Sequence, residues 1–338
     1  MHKLLEKNAA FILFYREHAW VAVVDKLVHP TVKALQVLPS EPAKFIEGLK
    51  ALLPFSTTNY AHVVCGIVPD EQFFYKTKFD HKSKKSASSF FREMLKARFN
   101  IALESNAVSI VNAEGGADFS EEGETNADIV VCGTPTKKVE EVQQFLLDNG
   151  LYPERIELAS LASIGGIMDY ARLEKIENPI LVVEMLFEKI QVFILNNKKL
   201  DVAHSIPKGV RSIAAALQKT LNLATVEEAI NALKKPDMAA NEPLQASLME
   251  KVSRELKSYA GFYEVQTGQS IEHLYCPLLG SNLYWMAKQL SRNIEKKLLA
   301  VDFERWSAAQ NIRLSHDATY ALDTRYFNLF SLMGVYRP

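Results

Sequence analysis

The sequence predicts an α/β chain of two lobes, each opening on three strands and a helix, with a small α+β unit inserted into the first. Two observations carry this. A β-β-β-α pattern is read near the start and again past the middle. Ile12-Leu13 with Ile180-Leu181, and Val24 with Val192, stand at one common offset close to half of the 338 residues. A recurrence at half-length is the mark of a duplicated fold.

The first strands lie in Phe11–Val24, where β-branched and aromatic residues flank a turn near Arg16–His18. Thr31–Leu38 is the third strand, ended by Pro39-Ser40. Pro42–Leu53 follows as a helix with Phe45, Leu49 and Leu52 on one face. Tyr60–Val68 is an apolar strand closed by Pro69-Asp70. In the second half the strands are Ile180–Glu184, Lys189–Leu195 and Leu200–Ile206. Asn196-Asn197 forms the turn, since Asn tolerates left-handed conformations. Gly209–Leu221 is the matching helix.

Between the halves the pattern is α-β-β-α. Ser86–Phe99 is amphipathic through Phe90, Phe91, Leu95 and Phe99. Ala107–Asn112 and Ile129–Cys132 are strands. Thr134-Pro135 opens the helix Thr136–Leu147 as a threonine cap with proline in the first turn. Asn149-Gly150 stops it. The acidic stretch Glu114–Asp128 is expected to be a mobile loop.

The last third is mostly helical. Thr225-Val226-Glu227-Glu228 is a capping box for a helix ending before Pro236. Leu244, Leu248, Val252, Leu256 and Tyr259 mark a long helix. A strand follows near Ile271–Tyr275. Met286, Leu290, Ile294 and Leu298 recur every fourth residue. The apolar end Phe327–Tyr336 is expected to dock. The expected division is therefore a first subdomain of residues 1–80 and 151–177 joined by a C-terminal helix 319–338, an insert 81–150, and a second half 178–318 with a helical subdomain at about 222–265.

Composition narrows the function. Lys+Arg number 39 against Asp+Glu 40, a net charge of −1, so no global field draws nucleic acid or anionic lipid. No run of about 18 apolar residues occurs, which argues against a spanning helix, and no signal peptide is read. Cys65, Cys132 and Cys276 are scattered in apolar stretches and read as buried thiols of a reducing cytoplasm. Only 14 residues are glycine, where about 7% is usual. Folds that cradle phosphate spend glycines where backbone approaches the ligand.

Familiar catalytic signatures are missing. Gly133-Thr134-Pro135-Thr136-Lys137 follows a strand and opens a helix, but lacks the leading glycine of a phosphate loop, and Pro135 removes a donor. The eight histidines lie too far apart in sequence for a metal site. The basic run Lys76, Lys78, Lys82, Lys84, Lys85, Arg92, Lys96 and Arg98 reads as a solvated surface or as a docking face for an acidic or membrane-proximal partner. Phe73, Phe74, Tyr75 and Phe79 border it, and core and contact readings both stand.

The order of elements resembles the actin-like, ribonuclease H-like duplicated fold, with the insert used by FtsA and by the type IV pilus assembly family PilM. Several phrases are similar to that family in particular: Gly150-Leu151-Tyr152-Pro153 with Ile156–Ser160, Ser205-Ile206-Pro207-Lys208-Gly209, Arg254-Glu255-Leu256 with Gly261-Phe262-Tyr263, Leu279-Gly280-Ser281-Asn282-Leu283, and Met333–Arg337. Active members carry Asp-x-Gly in both phosphate loops. Here the equivalent stretches read Leu13-Phe14-Tyr15-Arg16 and Glu184-Met185-Leu186. The paired glycine before the second-half helix is reduced to Gly209-Val210, and the adenosine-side loop keeps Gly280, followed by Ser281. Phe14, Tyr15, Arg16, Glu184, Leu186, Gly209, Gly280 and Ser281 are thus positions of a degenerate nucleotide cleft, crowded by Phe14, Tyr15 and Leu186. Aspartates there organise magnesium and the attacking water, so hydrolysis is not expected.

The resemblance implies a cytoplasmic scaffold, peripheral to the inner membrane through its partners and with no catalytic residues. It would bind the N-terminal cytoplasmic peptide of a PilN-like membrane protein, in a groove between the first subdomain and the insert. Lys82, Lys84, Lys85 and Arg92 are the candidate docking residues. No cofactor or metal is expected. The alternative is a divergent actin-like ATPase or phosphotransferase holding ATP and magnesium between the lobes. An adaptor of the GspL or FtsA kind is the third reading. It fits poorly, because no membrane helix is read and Phe327–Pro338 has little basic character.

Overall fold

The computed structural model describes residues 9–80, 87–119, 126–197, 199–315 and 324–334. They fall into two compact units. The first takes the described residues within 1–167, 304–321 and 328–338, and the second those within 168–303 and 322–327.

The first unit opens on a meander of β1 (Ala9–Tyr15), β2 (His18–Val24) and β3 (Thr31–Pro39), all antiparallel. Helix α1 (Pro42–Leu52) leads to β4 (Ala61–Ile67), which runs parallel to β1. Alternation decides which face each residue takes. Ala10 and Ile12 of β1 join Ala19, Val21 and Val23 of β2 against Phe45 and Leu49 of α1 in one core. This burial of branched side chains, at about 25 cal/mol per Å² of apolar surface, is what holds α1 to the sheet.

Next come β5 (Phe73–Asp80), α2 (Ala87–Phe99), β6 (Asn106–Asn112), β7 (Asn126–Pro135), α3 (Thr136–Asp148), β8 (Leu151–Leu158) and α4 (Ala159–Leu173). β8 pairs with β4 and completes that side of the first sheet. β5, β7 and β6 form a separate three-stranded antiparallel sheet. Phe73, Tyr75 and Phe79 turn toward α2. Tyr75 stacks on Phe99 at 4.2 Å and Phe79 on Phe91 at 5.2 Å. These aromatics are therefore core, and β5 places the start of the inserted sheet ahead of the expected boundary at residue 81.

Two local expectations need correction. Pro135 occupies the position before α3, which has no side-chain cap, while the Thr134 hydroxyl is buried inside β7 without a partner. The strand runs on through Thr134, so its side chain points across the sheet and not at the helix. The loop expected over Glu114–Asp128 is shorter, because β7 begins at Asn126. Gly115 and Gly116 turn at φ 75° and 70°, and residues 120–125 lie outside the described residues.

The second unit repeats the opening with β9 (Ile180–Met185), β10 (Ile190–Asn196), β11 (Lys199–Ile206) and α5 (Val210–Leu221). The helices α6 (Val226–Leu233), α7 (Pro236–Ala240) and α8 (Glu242–Thr267) follow, then β12 (His273–Tyr275), α9 (Tyr284–Ile294) and β13 (Lys297–Leu298). The sheet order is β11-β10-β9-β12-β13. The expected capping box is present: Thr225 Oγ1 accepts from Glu228 N at 3.1 Å, and Glu228 reaches back to Ala224 N at 3.0 Å. Leu298 belongs to β13, so the four-residue recurrence ends with α9 at Ile294. Leu248, Val252 and Leu256 of α8 share one core with Met286 and Leu290 of α9 and with Ile213 and Leu217 of α5.

The chain then returns. Helix α10 (Phe303–Ala309) leads to β14 (Arg313–Leu314), which pairs with β3 in the first sheet. The second half therefore ends near Phe303 and not at residue 318. Helix α11 (Thr324–Gly334) closes the described chain with Leu329, Phe330 and Leu332 fully buried. The rest of the helix expected over 319–338 lies outside the described residues. No described helix is long and apolar enough to cross a membrane.

Candidate functional site

The first hairpin carries Phe14, Tyr15 and Arg16. Its register, Tyr15 opposite His18, leaves a two-residue turn of Arg16 and Glu17. Arg16 takes φ 57°, a left-handed conformation that costs a non-glycine residue about 1 kcal/mol or more. The turn is fastened to the end of β3. Ser40 Oγ donates to the Arg16 carbonyl at 2.6 Å, and Ser40 N donates to the Glu17 carbonyl at 2.9 Å. Phe14 and Tyr15, being neighbours in a strand, face opposite sides. Phe14 packs on Phe45 at 5.1 Å and Phe145 at 6.4 Å, within the α1 core. Tyr15 lies on the other face, 6.4 Å from Trp20. The expectation that both rings crowd one corner is therefore wrong for Phe14.

In the second unit the turn between β9 and β10 is Leu186–Lys189. Glu184 is fully buried on β9, and Leu186 is fully buried at the start of the turn. This turn lies on the N-terminus of α5. Gly209 N donates to the Glu188 carbonyl at 3.1 Å, Val210 N to Leu186 at 2.9 Å, and Arg211 N to Phe187 at 3.0 Å. Ser212 N donates to the Gly209 carbonyl at 3.0 Å. The leading N–H groups of a helix are ordinarily orphans and make a ready anion site. Here the chain's own carbonyls take them all. Glu188 also pairs with Arg211 at 2.8 Å across the same corner.

Gly209 is needed for this closure. A Cβ there would meet the Phe187 carbonyl oxygen at 2.2 Å and Lys189 N at 2.5 Å. Its φ is −93°, so the need is for close approach of two backbones and not for a left-handed turn. The structure thus brings Leu186 and Gly209 together through Val210 and engages the N–H groups of residues 209–212 at the start of α5. Gly280 and Ser281 stand apart, in a turn before α9 where Leu283 N donates to the Gly280 carbonyl at 2.9 Å. Sequence reading missed Ser40, Phe187 and Glu188. The last two sit in the turn directly after Glu184-Met185-Leu186.

The described residues of the basic run divide between β5 and α2. Alternation along β5 puts Lys76 and Lys78 on the sheet face turned away from α2. Lys76 pairs there with Asp128 at 3.6 Å. Arg92, Lys96 and Arg98 lie on α2. Arg92 faces Glu104 at 4.0 Å, and Arg98 donates to Thr77 Oγ1 at 3.2 Å. Lys82, Lys84 and Lys85 lie outside the described residues.

Among the described residues no group of three His, Cys, Asp or Glu side chains could hold a metal ion. Cys65, Cys132 and Cys276 are free and buried. Burial pushes each thiol up, that of Cys132 to about 12, so none is poised as a nucleophile.

The sequence matches no protein-family profile and no curated protein. The structure does have relatives. A chain from a PilM–PilN type IV pilus biogenesis complex superposes with a TM-score of 0.74 at 16% identity, covering 98% of this chain and 100% of that one. A Bacteroides thetaiotaomicron protein with an actin-like ATPase fold and unknown function aligns at 0.48 and 10% identity, over 98% of each chain. An archaeal actin homolog aligns at 0.48 and 12%, over 96% of this chain and 98% of that one. The first superposition and the twice-used β-β-β-α opening assign an actin-like fold to this chain.

Proposed function

We propose that this chain is a PilM-like scaffold of a type IV pilus assembly platform at the cytoplasmic face of the inner membrane. It would bind the N-terminal peptide of a PilN-like membrane protein and would not hydrolyse nucleotide. The observation that carries the scaffold reading is the end-to-end correspondence with the PilM–PilN chain, insert included. The reading without catalysis is supported by the α5 corner. One well-placed electrostatic donor is worth a hundredfold or more in rate, and here four N–H groups are already engaged.

The peptide is assigned to the region following β4 and the inserted sheet. Lys82, Lys84 and Lys85, in the segment that follows β5, and Arg92 on α2 supply the positive charge. Titration with a synthetic PilN-like N-terminal peptide tests this. Saturable binding is expected, weakened at least tenfold when Lys82, Lys84, Lys85 and Arg92 are all changed to Glu. Binding indifferent to those changes, or no binding, removes the assignment.

The competing reading is an actin-like ATPase or phosphotransferase. A ligand that binds only the native state raises its melting temperature. Millimolar ATP with magnesium is expected to leave the transition where it is. A rise of several degrees would restore the enzyme reading.

A further inference from the structure

The edge of a sheet is a row of unpaired N–H and C=O groups. Folded proteins blunt such rows with proline, bulges, very short strands or a covering segment. Among the described residues this chain does so at every sheet end but one. β13 and β14 are two residues each. β14 covers the start of β3, where Ser315 N donates to the Val32 carbonyl at 2.9 Å. Beyond it β3 is bulged at Lys33 and ends on Pro39. β8 carries Pro153, and its register with β4 shifts between Val63 and Val64. β11 is bulged at Asp201, which its pairing with β10 skips. Residues 117–119 overlie the far end of β6: Asn112 N donates to the Ala117 carbonyl at 2.8 Å, and Phe119 N to the Ile110 carbonyl at 3.0 Å.

β5 has none of these devices. It ends the inserted sheet, and among the described residues it pairs with β7 alone. All 8 of its residues stand in unbroken register, and none is proline or glycine. Its outer row is therefore regular and about 27 Å long, at about 3.4 Å per residue. On its α2 face the rings of Phe73, Tyr75 and Phe99 follow one another at 5.8 Å and 4.2 Å, and all three are only half-buried. One layer of core thus stops at an open edge.

The edge selects its occupant. An extended segment beside β5 completes the row of main-chain bonds and lays every second side chain over those rings. A helix cannot complete that row, because its own N–H and C=O groups are already paired along its length.

We propose that the PilN-like peptide binds as an added strand on β5, with apolar side chains at alternate positions against Phe73, Tyr75 and Phe99. This deepens the peptide assignment made above and rests on it.

The peptide of that titration tests it in three forms: unmodified, N-methylated at alternate even positions, and N-methylated at alternate odd positions. Successive N–H groups of a strand point to opposite sides, so one methylated form should lose at least tenfold in affinity and the other keep nearly all of it. In the complex, alternate amides within residues 74–79 should gain protection from hydrogen exchange, read residue by residue by NMR. The protein is unaltered throughout, so no variant has to fold. An unmodified peptide that does not bind removes the assignment above and this inference with it. A peptide that binds, but that both methylation patterns weaken alike or neither weakens, overturns strand addition and leaves the assignment standing. So does binding that leaves exchange along β5 unchanged.

Discussion

The α-carbon of Gly209 lies so close to Phe187 that a methyl group on it would stand 2.2 Å from that residue's carbonyl oxygen. The contact is backbone to backbone, so no side chain can rotate away. Gly209→Ala must therefore push the β9–β10 turn off the N-terminus of α5 and break the bonds to Val210 and Arg211. A loss of about 2–3 kcal/mol is expected from such overpacking, read as a lower urea midpoint with an unchanged slope. A variant as stable as the parent would mean that the turn is free to move.

Arg16 carries the opposite prediction. Its left-handed backbone forms a tight two-residue turn whose carbonyl is held by Ser40. Glycine adopts that conformation without the steric cost, though it loses more entropy on folding. Arg16→Gly is expected to stabilise by about 0.5–1 kcal/mol in chemical denaturation. A loss of stability would assign the arginine side chain a holding role.

Much of the fold was legible in the sequence because it rests on local pattern. The β-branched runs, the break at Arg16–His18, the turn at Asn197 and the Thr225–Glu228 box all announce themselves within a few residues. β5 was not legible. Phe73, Tyr75 and Phe79 alternate with Lys76 and Lys78, but Phe74 interrupts the pattern, and pairing with β7, far along the chain, is what decides their faces. The faces taken by the candidate-site residues were not legible for the same reason. Phe14 and Tyr15 look alike in sequence, yet strand alternation sends one into the α1 core. The absent Asp-x-Gly loops were visible, but the closure of α5 by main-chain carbonyls leaves no mark beyond one conventional-looking glycine.

Thr225 is an N-cap that was read from sequence and is also seen in the structure. It accepts from Glu228 N, and α6 seats Ala229 and Leu233 in the core of the second unit. Removing the hydroxyl with Thr225→Ala orphans that N–H and is expected to cost about 1 kcal/mol. Thr225→Ser should restore most of it, which a general packing defect would not allow.

Glu157 gives the chain a dependence on pH. It lies on β8 with its carboxylate accepting from Arg155 Nη2 at 2.9 Å. Burial dominates over that pairing and raises its pKa from the ordinary 4.5 to about 7. The folded state thus holds a proton more tightly than the unfolded chain does. Stability from this group is full below about pH 4.5, falls as pH rises, and is lost above about pH 7. At about 1.4 kcal/mol per unit, the loss is on the order of 3 kcal/mol. Glu157→Gln, which stays neutral, should flatten the denaturation free energy across that window. It should also be the more stable protein at pH 8. A parent whose stability is level from pH 5 to 8, or a variant weaker at pH 8, would show that the carboxylate is ionised and satisfied by Arg155 after all.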